Sequence, residues 1–132
     1  MKVIFDHNLS PRLAACLQGL LGRESYQIIS LREKFSPDTK DVEIISTLNK
    51  EGGWVFISGD MRITKNKTEK NAFRSANIIG IFLSPGLNKA SNMKKAERLI
   101  AAWGTIEKIC SAVAPGAMFE LKMRAAKLEQ IR

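Results

Sequence analysis

Cysteine, histidine, tyrosine and proline are scarce in this chain: two, one, one and four in 132 residues. Cys16 and Cys110 have no metal-ligand spacing and no cysteine-protease context. Each lies among apolar residues at helical spacing, so both read as buried free thiols. His7 is the single histidine. No nucleophile signature surrounds it, and it reads as a polar loop residue rather than an acid-base catalyst. No stretch approaches the roughly 18 apolar residues that span a bilayer, and no basic segment followed by an apolar run opens the chain. The expected location is the cytoplasm, with no membrane partner. Internal repeats and low-complexity linkers are absent, and Gly52-Gly53 lacks the rest of a phosphate-binding or dinucleotide fingerprint.

What is present points to a soluble α/β domain. Apolar residues make up 45% and charged residues 26%, the balance of a globular chain, and the length suits one domain over residues 1–132. Twenty-one Lys and Arg stand against 13 Asp and Glu, a formal charge of +8 that favours a polyanion as partner. The excess is concentrated between Met61 and Ser75, where Arg62, Lys65, Lys67, Lys70 and Arg74 face only Glu69. Lys89, Lys94, Lys95 and Arg98 make a second basic run.

Short apolar runs alternate with amphipathic ones. Lys2 to Phe5 is contiguous, β-branched and aromatic, as in a buried strand. Ser10-Pro11 starts a helix whose stripe is Leu13, Leu17, Leu20 and Leu21, ending near Gly22. Tyr26 to Leu31 suits a second strand, and Arg32 to Lys40 a loop. Asp38 or Thr39 then caps a helix that faces inward through Val42, Ile45 and Leu48 and ends at Gly52-Gly53. Trp54 to Ile57 is a third strand. A basic helix from Thr64 to Ser75 leads to a fourth, Ile78 to Leu83.

Such alternation predicts a mainly parallel sheet covered on both faces. Ser84-Pro85-Gly86 breaks the chain before a long helix carrying Met93, Ala96, Leu99, Ile100, Trp103, Ile106, Cys110 and Val113, a stripe suited to core or dimer contact. Gly104 lies within it. Residues 88–132 thus hold a helix and then two short segments, Met118 to Met123 and Leu128 to Arg132, that suit a hairpin or an edge strand.

Strand ends and the first turns of following helices gather at one edge of a parallel sheet. Asp6 ends the first strand, Asp60 the third, and Asp41 lies in the first turn of the helix before it. Asp41 also suits an ordinary helix-start acid and Asp60 an ordinary turn acid. Three carboxylates together would repel and raise one another's pKa unless a cation compensated, and Mg²⁺ or Mn²⁺ is the matching oxygen-seeking ion. Ser58 and Asn8 are placed to support that corner. Glu43 faces elsewhere.

The segments Phe5-Asp6-His7-Asn8-Leu9-Ser10-Pro11, Asp41-Val42-Glu43-Ile44 and Val55-Phe56-Ile57-Ser58-Gly59-Asp60 resemble the PIN-like family, in the branch of toxin-type nucleases. The resemblance covers residues 2 to 83. It implies a three-layer α/β/α fold and a divalent-metal ribonuclease with Asp6, Asp41 and Asp60 as metal-binding and catalytic acids. It also implies RNA as substrate and an antitoxin protein as partner. Arg62 stands where the family frequently has a further acid, and Ile63 where an aromatic residue follows it. Arg62, Lys65, Lys67 and Lys70 are candidates for holding the RNA backbone. A catalytically weak RNA-binding or protein-interaction domain is the alternative, and a homodimer is compatible with the long apolar stripe.

Overall fold

The computed structural model describes residues 1–22, 26–124 and 127–132. Among them the strands are β1 (Lys2–Phe5), β2 (Gln27–Ser30), β3 (Trp54–Ser58), β4 (Ile78–Leu83), β5 (Met118–Leu121) and β6 (Leu128–Ile131). They form one sheet in the order β2-β1-β3-β4-β5-β6. Neighbours from β2 through β5 are parallel; only the β5–β6 hairpin is antiparallel. Helices α1 (Pro11–Leu21), α3 (Asp41–Glu51), α5 (Lys67–Arg74) and α7 (Asn92–Ala112) cover the faces, and α2 (Leu31–Lys34), α4 (Arg62–Lys65) and α6 (Pro85–Asn88) are single turns.

Side-chain alternation along the strands builds two cores. Val3, Phe5, Val55, Ile57, Ile81 and Leu83 face α1 and α7, meeting Leu13, Leu17, Leu99 and Ile106. On the opposite face Ile4, Trp54, Phe56, Ile78 and Phe82 meet Ile44 and Leu48 of α3 and Phe73 of α5. Both faces of the central strands are therefore dry, which is why these strands read as unbroken apolar runs. At Gly80 an added Cβ would lie 2.6 Å from Phe73 and 2.7 Å from Phe82, so a glycine is what lets those rings close over β4.

The fold is the three-layer, mainly parallel α/β arrangement expected, with several local differences. Leu31 begins α2 rather than ending β2, because Ser30 and Glu33 form a reciprocal cap: the Ser30 side chain accepts from the helix backbone, and Glu33 Oε2 accepts from Ser30 N at 2.7 Å. Part of the expected loop from Arg32 to Lys40 is thus helical. Neither Asp38 nor Thr39 caps α3. Lys40 holds the cap position without a side-chain bond, while Ser36 Oγ donates to Asp38 Oδ1 in the preceding turn.

Helix α3 is also rotated from the expected phase, burying Ile44 and Leu48 and leaving Val42 80% exposed. The basic helix is two pieces, α4 and α5, because the Asn66 side chain caps a fresh start at Lys67 by accepting from Glu69 N. Ser84 likewise caps α6 where only a break was expected. Leu20, Met93 and Ile100 are exposed, so they leave their stripes; Leu99, Ala102, Trp103 and Ile106 pack α7 into the core. Helix α7 runs through Gly104 without interruption. Cys16 is exposed rather than buried, and Cys110 is half-buried.

Candidate active site at the strand ends

Chain order and sheet order part company at β1: the chain crosses to β2 on one side, then returns to β3 on the other. Such a reversal opens a crevice beyond the carboxyl ends of the two central strands, because the following helices leave toward opposite faces. Here α1 follows β1 onto one face and α3 lies on the other. The crevice is a cleft of about 440 Å³ lined by Asp6, Asp41, Asp60 and Arg62, with His7 and Asn88 among its other walls.

The corner is built around one hydroxyl. Phe5 is in register with Ile57, so Asp6 and Ser58 emerge side by side. Ser58, fully buried, donates to Asp6 Oδ2 at 2.8 Å. Its oxygen accepts from Asp60 N at 2.9 Å and from Asn8 Nδ2 at 3.3 Å. A hydroxyl has one donor and two acceptor positions, so Ser58 is fully used. Asn8 completes the brace, its Oδ1 accepting from Gly59 N at 3.1 Å. Ser58 and Asn8 hold the strand ends together, with Asn8 tied to the backbone of the corner.

The two strand-end carboxylates sit in opposite electrostatic settings. Burial pushes the Asp6 carboxyl above its ordinary range, and Asp41 nearby adds repulsion. The Ser58 hydroxyl, the His7 N–H at 2.7 Å and the His7 ring work the other way without overcoming it. Asp60 is held below its ordinary range, chiefly by Arg62. Arg62 Nε donates to Oδ1 at 2.9 Å and Nη2 to Oδ2 at 2.8 Å, and the Arg62 backbone N–H adds a third bond to Oδ1 at 3.0 Å. Asp41 is exposed at the first turn of α3 and lies within electrostatic reach of both Asp6 and Arg62.

These donors suit a hard divalent cation in kind, being carboxylate oxygens. In number they fall short as arranged: among the described residues no three His, Cys, Asp or Glu side chains stand grouped as a cation cage. Arg62 occupies the Asp60 carboxylate. Asp6 and Asp41 are the carboxylates that would hold the ion, with Asp60 engaged by Arg62.

The structure brings the three aspartates, Arg62 and the Ser58–Asn8 brace to one edge. It does not bring in the lysines: Lys65 on α4 and Lys67 and Lys70 on α5 are outside the cleft lining. Lys70 donates to the Arg132 carbonyl oxygen, which ties α5 to the end of the chain. Asn88 was not foreseen. Its signal lay in the short polar turn after the fourth strand, at the same edge as Asp6 and Asp60. A second cleft, about 360 Å³, lies at the opposite edge around Met1, Tyr26, Trp54 and Cys110. Its one carboxylate, Glu107, accepts from Tyr26, and burial pushes the Cys110 thiol up to about 11, so it offers no thiolate nucleophile.

A doubly wound α/β domain with paired acids at its switch point is the class these features define. Residues 1–85 match the model of the PIN-like domain family, and the chain belongs to that family. Neither a curated protein nor a solved structure matched the chain. Membership places it in a nuclease superfamily whose members generally use divalent metals. Among the described residues no helix is long and apolar enough to cross a membrane.

Proposed function

We propose that this chain is a metal-dependent endoribonuclease that hydrolyses RNA phosphodiester bonds, acting as the toxin of a toxin–antitoxin pair. The observation that carries the catalytic part is the convergence of Asp6, Asp41 and Asp60 on one cleft at the switch point. The toxin setting comes from the family branch that the motifs resemble.

In this reading Asp6 and Asp41 would hold Mg²⁺ or Mn²⁺, whose charge would offset both the burial of Asp6 and the repulsion from Asp41. The bound ion would supply Lewis-acid polarisation of the phosphate and activation of a water at neutral pH. The Ser58 hydroxyl and the His7 N–H fix the direction of the Asp6 carboxylate, so its position is set before substrate arrives. Arg62, most of whose side chain is in solvent, exchanges the Asp60 carboxylate for a phosphate, which its planar fork can grip through two parallel hydrogen bonds. That exchange frees Asp60 as RNA enters. Lys65 and Lys67 extend the positive surface beyond the cleft.

The Arg62–Asp60 pairing favours one other reading, a catalytically weak RNA-binding or protein-interaction domain in which Arg62 permanently replaces the cation. Cleavage assays separate the two. Structured and single-stranded RNAs, with matched DNA, are incubated with Mg²⁺, Mn²⁺ or EDTA and either the wild-type chain or Asp6→Asn or Asp41→Asn. RNA cleavage that needs metal and is lost in both variants is the expected result. Salt-sensitive RNA binding without cleavage would establish the weaker reading, and activity untouched by both substitutions would remove the site.

A further inference from the structure

Three buried side-chain atoms among the described residues make no hydrogen bond: Nε2 of His7, Oδ1 of Asn88 and Nε1 of Trp103. Two of these three residues, His7 and Asn88, line the acidic cleft. His7 follows β1 and Asn88 closes α6 after β4, while β3 runs between those strands. The pair therefore brackets the Ser58–Asp60 corner from both sides. A buried polar atom without a protein partner loses its hydration and gains nothing in return, and at a cleft wall the missing bond is supplied by water, an ion or a ligand group.

Gly59 explains how Asn88 reaches this position. A Cβ at residue 59 would fall 1.9 Å from Asn88 Oδ1 and 2.5 Å from its Cγ. Glycine leaves the shelf on which the amide lies, beside the backbone that carries Asp60. The chemistry of the bracketing groups also narrows the ligand. The Asn88 amide carries no charge to complement a phosphate, a task Arg62 already suits, whereas it exchanges hydrogen bonds with a neutral hydroxyl. The hydroxyl that distinguishes RNA from DNA is the ribose 2′-OH, which both donates and accepts.

We propose that Asn88, seated on Gly59 and assisted by His7, binds the ribose 2′-hydroxyl and makes the cleft select RNA over DNA. This rests on the nuclease reading only in taking nucleic acid as the occupant. Asn88 is a specificity residue here, and the carboxylates remain the catalytic groups.

Fluorescence anisotropy with the full chain and Mg²⁺, using matched single-stranded RNA and DNA oligonucleotides, tests the contact; gels of the same samples report cleavage. Wild type should bind RNA more tightly than DNA. Asn88→Ala should lose about fivefold in RNA affinity, the scale of one neutral hydrogen bond, and leave DNA affinity unchanged. Gly59→Ala should reproduce that selective loss by displacing the amide, and Asn88→Ser serves as a second truncation if Asn88→Ala melts below the assay temperature. Equal losses for RNA and DNA, or an RNA preference surviving all three substitutions, would overturn the proposal. RNA preference without cleavage, abolished by Asn88→Ala, supports the ribose contact and removes the nuclease reading. Cleavage of RNA and DNA alike keeps the nuclease reading and removes the contact.

Discussion

Arg62 closes a two-pronged guanidinium fork on the Asp60 carboxylate, with both bonds under 3.0 Å. The two residues are separated by Met61 alone, so a cation supplied by the chain itself occupies one of three acids that line the cleft. Because the guanidinium is largely in solvent, the pair is readily exchanged and adds little to stability.

Arg62→Ala should therefore raise the affinity for Mn²⁺, measured by titration calorimetry, by releasing Asp60. Folding stability should change by less than about 1 kcal/mol, as for other exposed pairs. The depressed Asp60 pKa contributes stability above the ordinary carboxylate range and loses it as pH falls through the folded value, so the small cost of the variant should appear at neutral pH and vanish in acid. RNA binding should weaken, with a salt dependence lower by about one unit of slope. Unchanged Mn²⁺ affinity would show that Asp60 is not a ligand.

Asp6 has the opposite sign. Its raised pKa means that the native chain keeps a proton the unfolded chain has already released, so this group's stabilising contribution is complete at acid pH and falls as pH rises through the folded value. Asp6→Asn cannot ionise. Thermal melts should show the variant gaining on wild type as pH rises above the ordinary carboxylate range, where Asp6 ionises. Mg²⁺ should narrow the gap by stabilising wild type alone. A gap independent of both pH and Mg²⁺ would mean that Asp6 carries no buried charge and holds no ion.

Ser58→Ala removes the donor to Asp6 Oδ2 and the acceptor for Asp60 N and Asn8 Nδ2 in one step. Ser58 is fully buried, and the Asp6 carboxyl beside it, itself mostly buried, loses a donor that water replaces poorly. Urea unfolding should show a loss of about 1–3 kcal/mol, the range for leaving buried polar groups unpaired. The folded fraction should bind Mn²⁺ more weakly because the Asp6 carboxylate is no longer held. Unaltered stability would place the brace elsewhere.

The strands were legible because a buried parallel strand has to be apolar on both faces, and Val3-Ile4-Phe5, Trp54 to Ile57 and Ile78 to Leu83 satisfy that with no competing period. Helix phase was harder. Val42 and Ile44 are both β-branched and apolar, and only the position of α3 against Phe56 and Ile4 decides that Ile44 turns inward. Cap choice failed for a similar reason: Asp38 is a good cap by type, but Ser36 engages it first.

By itself the sequence determined the α/β alternation and an acid at each of two strand ends, since both follow from local periodicity and from where an apolar run stops. Tertiary structure decided what those acids meet. Register between β1 and β3 places Asp6 beside Ser58, and the strand order carries Asn88 from β4 onto Gly59. Arg62 folds back onto Asp60 although the two are neighbours in sequence. Side-chain direction and the neighbours available across strands settle these contacts, and neither is written in any one segment.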